Sequence, residues 1–226
     1  MSIINESEFQ KKRTSHDLMT WCSQILEEIK QDNVEIHKYR LRDGLYKKFI
    51  EELLPLSIVA NHLSRNNPYL IFQPLLGNQN YDAIVIASDE IPIYYLEFTL
   101  AINGEEDFFI RKLLNDYGSA PGCAEYKKYG TKNTGINIEY TYKAQRVDEY
   151  LFKQLALIKR QLEKKYKIHY NPATILVILF EDFIPLDPLD IIDAFKSHLN
   201  EHPVVGSNKF KKIILTTYSG RVLFEL

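Results

Sequence analysis

A chain of 226 residues, 45% hydrophobic and 26% charged, is long enough to bury a substantial core and ordinary enough in composition to be globular. Its net charge of −2 gives no global basic field, so a polyanionic partner would have to be held by local patches. Cys22 and Cys123 stand far apart and outside any CxxC spacing, which excludes a disulfide framework and points to a reducing, cytoplasmic compartment; the polar start MSIINESEFQKKR and the lack of a long apolar run argue against a signal peptide and a membrane protein.

Residues 1–14 are expected to be a mobile start. From Ser15, residues Leu18, Trp21, Cys22, Ile25, Leu26 and Ile29 recur at helical spacing, with Thr14 or Ser15 as the cap and an end near Asp32-Asn33. A second helix is predicted from about Asp43 to Leu63, kinked by Pro55, with Leu45, Phe49, Ile50, Leu53, Leu56 and Val59 on one side. Glu52 lies at the edge of that apolar face and Glu51 nearly opposite, so Glu52 is the carboxylate better placed to reach the core. A surface pair between Glu52 and Lys48, four residues apart, is the simpler account of the same residue.

Tyr69–Leu75 reads as a strand, and Gly77–Asn80 as the turn into a hairpin built from Tyr81–Ala87 and Ile91–Ala101, with Ser88-Asp89-Glu90 between them. A symmetric turn centred between Asp89 and Glu90 sets Asp82 opposite Glu97. Directly opposed side chains lie about 4.5–5.5 Å apart at Cβ, and like charges there repel. Both carboxylates also interrupt apolar strands, where an unpaired charge is costly. A divalent cation between them would remove both penalties. Against this, Asp82 could face solvent or bond to the Gly77–Asn80 turn, and an odd-length turn or a bulge would separate the pair.

Beyond the hairpin, Glu105–Tyr117 reads as a helix closed by Gly118, and residues 119–143 as an inserted hairpin or long loop in which Ile136, Ile138, Tyr140 and Tyr142 alternate. The longest helix spans Gln145–Tyr166, with Leu151, Leu155, Ile158 and Leu162 as its buried stripe and Gln154 beside it. Thr174–Phe180 is a continuous apolar run, hence a buried strand. A helix over Pro188–Leu199 and two closing strands, Lys212–Tyr218 and Arg221–Leu226, complete the chain. The expected architecture is one α/β domain over 1–226: a mixed central sheet flanked by helices, with an N-terminal helical extension over 1–42, the insertion at 119–143 and C-terminal strands.

A helix carrying Glu52, a hairpin carrying Asp82 in YDAIV and then Glu97-Phe98-Thr99, a further helix and a buried strand: from about residue 43 to 180 this order resembles the PD-(D/E)XK nuclease superfamily, with its restriction-endonuclease-like fold. The resemblance implies that Asp82 and Glu97 hold Mg²⁺, or Mn²⁺ in its place, that Glu52 bonds to a water at the ion, and that the partner is nucleic acid, DNA first, cleaved in restriction or anti-phage defence. Mg²⁺ takes one or two carboxylates and keeps several waters, which suits the pair.

The departure is Thr99, where the pattern has a lysine that orients the attacking water. A hydroxyl positions water but supplies no positive charge. Gln154, Arg111 and Lys112 are the candidates to compensate, Gln154 because some members carry a helical glutamine there, although the tyrosine that follows it is Ile158 in this chain. Without compensation the domain would be inactive and serve as a nucleic-acid-binding or protein-interaction module, a partner protein or a second copy included. His198 and His202 are a weaker metal pair, since His202 precedes Pro203 at a helix end. YKKYGTK and KRQLEKKYK combine basic residues with tyrosine, as a nucleic-acid groove does.

Overall fold

The apolar periodicities build a mixed sheet covered by helices on both faces. A computed structural model describes residues 3–87, 90–131, 135–181, 187–201 and 209–226. In chain order these form α1 (Glu6–Phe9), β1 (Arg13–Thr14), α2 (Ser15–Gln31), α3 (Asn33–Leu41), α4 (Leu45–Lys48), a π-helical turn (Phe49–Leu53) and α5 (Leu54–Ser64). Then come β2 (Ile71–Pro74), β3 (Ala83–Ile86), β4 (Pro92–Leu100), α6 (Gly104–Tyr117), β5 (Ala124–Thr131), β6 (Gly135–Tyr142) and α7 (Val147–Lys165). The last elements are β7 (Thr174–Phe180), α8 (Pro188–Glu201), β8 (Lys212–Thr217) and β9 (Leu223–Glu225).

Seven strands form one sheet in the order β1-β2-β3-β4-β7-β8-β9. β4, β7 and β8 run parallel to one another, and the remaining pairings are antiparallel. The expected mixed sheet flanked by helices is therefore what the chain forms. β7 is buried at every position, as its unbroken apolar run requires. Its side chains alternate between two cores: Ile175, Val177 and Leu179 pack with α2, the π-turn and α5, whereas Leu176, Ile178 and Phe180 pack with α7 and α8.

The start of the chain departs from expectation. Ile4 and Phe9 are buried, Asn5 caps α1, and Arg13 and Thr14 pair with Phe72 and Ile71 of β2. The Arg13 guanidinium donates to Glu8 O at 2.7 Å and lies 3.9 Å over the Trp21 ring, so residues 3–14 are anchored rather than mobile. Thr14 caps α2 as predicted, accepting from Asp17 N at 3.1 Å. α3 is an element the periodicity did not reveal; Asp32 starts it by accepting from the Val34 and Glu35 amides.

The predicted second helix is continuous from Leu45 to Ser64 but changes pitch in the middle. Proline lacks an N–H, and its ring collides with the carbonyl four residues back, here that of Glu51. The π-turn immediately before Pro55 widens the helix at that point, a break in the regular pitch where the sequence placed one.

The insertion is a two-stranded antiparallel ribbon, β5–β6, separate from the main sheet. Its feet meet where Lys143 N donates to Cys123 O at 3.5 Å, and most of its residues are exposed. Gly118 closes α6 with φ +74, the left-handed geometry that favours glycine. Among the described residues no helix is long and apolar enough to cross a membrane.

Candidate active site

Ala83, Ile84 and Val85 of β3 pair with Leu96, Tyr95 and Tyr94 of β4, the register a symmetric turn predicts. A bulge shifts the ladder between Val85 and Ile86, toward the turn, and at the other end the pairing stops at Ala83–Leu96, where Asp82 turns its carbonyl to Leu75 N of the β2 side. Ser88 and Asp89 of the predicted turn lie outside the described residues. Asp82 lies one residue beyond β3 and reaches β4 beside Ala83, at Leu96 and Phe98, the two neighbours of Glu97. Asp82 N donates to Leu96 O at 2.8 Å, and Phe98 N donates to Asp82 Oδ2 at 2.8 Å. Asp82 thus holds the end of the ladder with its own carboxylate, and it is not turned to open solvent.

Leu96 and Phe98 fill the core under α2 and α5, so Glu97 and Thr99 project to the face covered by α7. Glu97 is only 8% exposed. Its Oε1 accepts from Lys165 Nζ and, at 3.5 Å, from Tyr170 Oη. Burial, followed by the Glu97 charge, pushes the Tyr170 phenol upward.

Glu52 enters from the π-turn. Lys48 Nζ donates to both its oxygens, at 2.8 and 3.1 Å, the surface-type pair expected from the sequence. That pair and proximity to the strand acids hold together. Burial pushes Asp82 up to about 7, with the charges of Glu52 and Glu97 adding to it, while the Phe98 amide and Lys48 oppose the shift. Glu52 is raised as well, by burial first and in part by Glu97, against the pull of Lys48. Glu52, Asp82 and Glu97 therefore share one electrostatic site. Glu51 points elsewhere, bonded to Arg42 Nη1 at 2.9 Å.

Around Thr99 the structure differs from the sequence reading. Its hydroxyl meets Gln161 Oε1 at 3.5 Å, not Gln154. Gln154 sits two helical turns toward the N-terminus of α7, fully buried, where its Nε2 donates to Glu181 Oε2 at 3.4 Å. Neither Arg111 nor Lys112 compensates for the missing lysine. Arg111 bonds Asp107 and the Leu41 carbonyl, and Lys112 pairs with Asp116 on the surface. The cation beside Glu97 is Lys165, which the sequence reading missed. α7 runs back along β7, which lies parallel to β4, so the basic C-terminal turn of α7 arrives opposite Glu97 rather than Thr99. His198 packs edge-on against Phe152, and its predicted partner His202 lies outside the described residues.

No family model matches the chain, and neither does any curated protein or solved structure. The site must therefore be read from its own chemistry. Among the described residues no set of three or more His, Cys, Asp or Glu side chains is gathered as metal ligands. Two opposed carboxylates with like-charge repulsion and hard oxygen donors nevertheless fit Mg²⁺, which completes its shell with water and substrate oxygens. Asp82 Oδ1 and the Glu97 oxygen not bonded to Lys165 are the donors such an ion would use.

Proposed function

We propose that this chain is a Mg²⁺- or Mn²⁺-dependent nuclease that hydrolyses DNA phosphodiesters at Asp82 and Glu97. The observation that carries the reading is Lys165 on Glu97: a cation from α7 stands beside the second acid, where Thr99 supplies none. An ion held by Asp82 and Glu97 would stabilise negative charge developing on a non-bridging phosphate oxygen. In the hydrolysis the water loses a proton to solvent as its oxygen bonds to phosphorus, and the bond to the leaving sugar oxygen breaks as that oxygen takes up a proton from solvent. Lys165 adds positive charge on the face where the phosphate must lie. Thr99 Oγ1 and the Glu52 carboxylate are the groups available to orient the water, Glu52 being itself held in place by Lys48.

Plasmid, linear duplex and single-stranded DNA incubated with Mg²⁺ or Mn²⁺ test this. Cleavage by the wild-type chain that is lost in Asp82→Asn and Glu97→Gln is the expected result, and cleavage unchanged in both variants overturns it.

A second reading, a nucleic-acid- or protein-binding domain without turnover, draws on one specific feature. Glu97 and Glu52 are already bonded to Lys165 and Lys48, so both acids are compensated by lysines alone. That reading expects no Mn²⁺ heat in calorimetry and no cleavage.

A further inference from the structure

The proposed reaction requires a surface that presents a long polyanion to Asp82 and Glu97, and these acids occupy only one end of α7. On α7, Lys153, Arg160, Gln161, Lys164 and Lys165 fall at helical spacing along one flank, interrupted by Leu157. Glu163 lies outside that flank. Arg160 and Lys164 are exposed and have no ion pair among the described residues. From Val147 to Lys165 the helix covers about 27 Å, at about 1.5 Å per residue. Its far end adjoins the feet of the β5–β6 ribbon, where a cavity of about 320 Å³ is lined by Lys153 and Lys143 but also by Glu105, Glu106, Glu125 and Glu149, Lys153 being paired with Glu106 and Lys143 with Glu125.

The ribbon itself is poor in core residues and rich in contact residues. Tyr129, Tyr140 and Tyr142 are 47%, 43% and 75% exposed, and the exposed Lys127 and Lys128 form no ion pair among the described residues. Pairing of Lys128 with Ile138 and of Lys127 with Glu139 sends the two lysines to opposite faces, so each edge of a groove could meet one. A two-stranded ribbon fits the major groove of B-form DNA, about 12 Å wide, but not the deep, narrow major groove of A-form RNA.

We propose that the β5–β6 ribbon and the exposed Arg160 and Lys164 of α7 form the two contact points of a track for duplex DNA, the ribbon seated in the major groove and Arg160 and Lys164 on the backbone leading to Asp82 and Glu97, with the acidic cavity between them left free of phosphate. The proposal rests on the nuclease reading for its direction along α7, but binding and cleavage are read separately. Fluorescence anisotropy with a short labelled DNA duplex, and with an RNA duplex of the same sequence, is measured in EDTA over a range of salt. Cleavage with Mn²⁺ is measured on the same preparations.

The pairs Lys127→Ala/Lys128→Ala and Arg160→Ala/Lys164→Ala are each expected to raise Kd for DNA roughly tenfold and to lower the salt slope by about 2, the release expected for two phosphate contacts. Unchanged Kd and slope in the ribbon pair overturns the track, as does RNA bound as tightly as DNA, or no DNA binding by the wild-type chain. Weakened binding in both pairs without cleavage by the wild type upholds the track and overturns the nuclease reading. Cleavage with unaltered binding in the ribbon pair does the reverse.

Discussion

Among the described residues Lys165 is the side chain that pairs its positive charge with Glu97, so the proposed nuclease reading is tested first at this residue. Lys165→Met should lower cleavage by about 10²–10³-fold, the scale of losing one charge-stabilising group, and should also cost stability, because it leaves the buried Glu97 without its cation; urea unfolding of the same variant separates the two effects. A plasmid-nicking rate close to wild type in this variant would remove Lys165 from the mechanism. Thr99→Lys tests the same point from the other side: a lysine on β4 should restore at least part of the activity of Lys165→Met. A second residue carries a pH signature. Burial, then the neighbouring Glu106 charge, pushes Glu181 up to about 7 against the pull of Lys153. The folded chain then binds a proton more tightly than the unfolded chain between the ordinary carboxylate pKa and 7. Stability from this group is full below about pH 4.5 and is lost as pH rises toward 7, by at most on the order of 3 kcal/mol. Urea midpoints across that range should show a falling limb that Glu181→Gln makes shallower, Asp82, also pushed up to about 7, supplying the rest.

At the scale of elements, what the sequence made legible followed from side-chain period. α2, α6, α7 and β7 lie where their apolar spacing sets them, and the hairpin register survived because the bulge falls on the turn side of Val85. α3 escaped notice because Asn33–Leu41 has no apolar stripe and its buried residue is Glu35, held by Lys38 and Tyr46. β1 was illegible because two residues carry no period at all. Asp82, Glu97 and Glu52 could be found from strand pairing and a helical wheel. Lys165 could not, since its position depends on β7 lying beside β4, a pairing across the whole span from α6 to α7 that no local pattern encodes. The turns carry testable costs. Gly220 has φ +71, and a Cβ there would stand 3.0 Å from Ile58 Cγ2, so Gly220→Ala should destabilise the β8–β9 turn by about 1–3 kcal/mol in thermal or urea unfolding. Thr14→Ala removes the α2 cap and should cost about 1 kcal/mol.

Across the whole molecule, the sheet joins two cores through β7, and the acids sit where strands β3 and β4 meet the α7 side. Ile178 faces the second core and is fully buried, so Ile178→Ala should cost roughly 2–5 kcal/mol and loosen α7 against the sheet. Both outer strands of the sheet are very short, Arg13–Thr14 and Leu223–Glu225, which gives a stray strand little to pair with. The ribbon is attached differently from everything else. Its two ends are neighbours, joined by the Lys143–Cys123 hydrogen bond; α7 is fixed to the body by its apolar face, while Phe109 of α6 packs against Tyr126 of the ribbon, with ring centroids 5.8 Å apart. Residues 124–142 are in this sense a graft with one root: cut away and bridged by a short Gly-containing link, they should lower the melting temperature only by what the Tyr126 contact with the buried Phe109 contributes, and Phe109→Ala in the shortened chain should then cost less than in the full one. Under the proposed reading, the ribbon and the carboxylates at the far end of α7 can accordingly diverge at separate rates, with a new ribbon changing what is gripped and nothing near Glu97 needing to move.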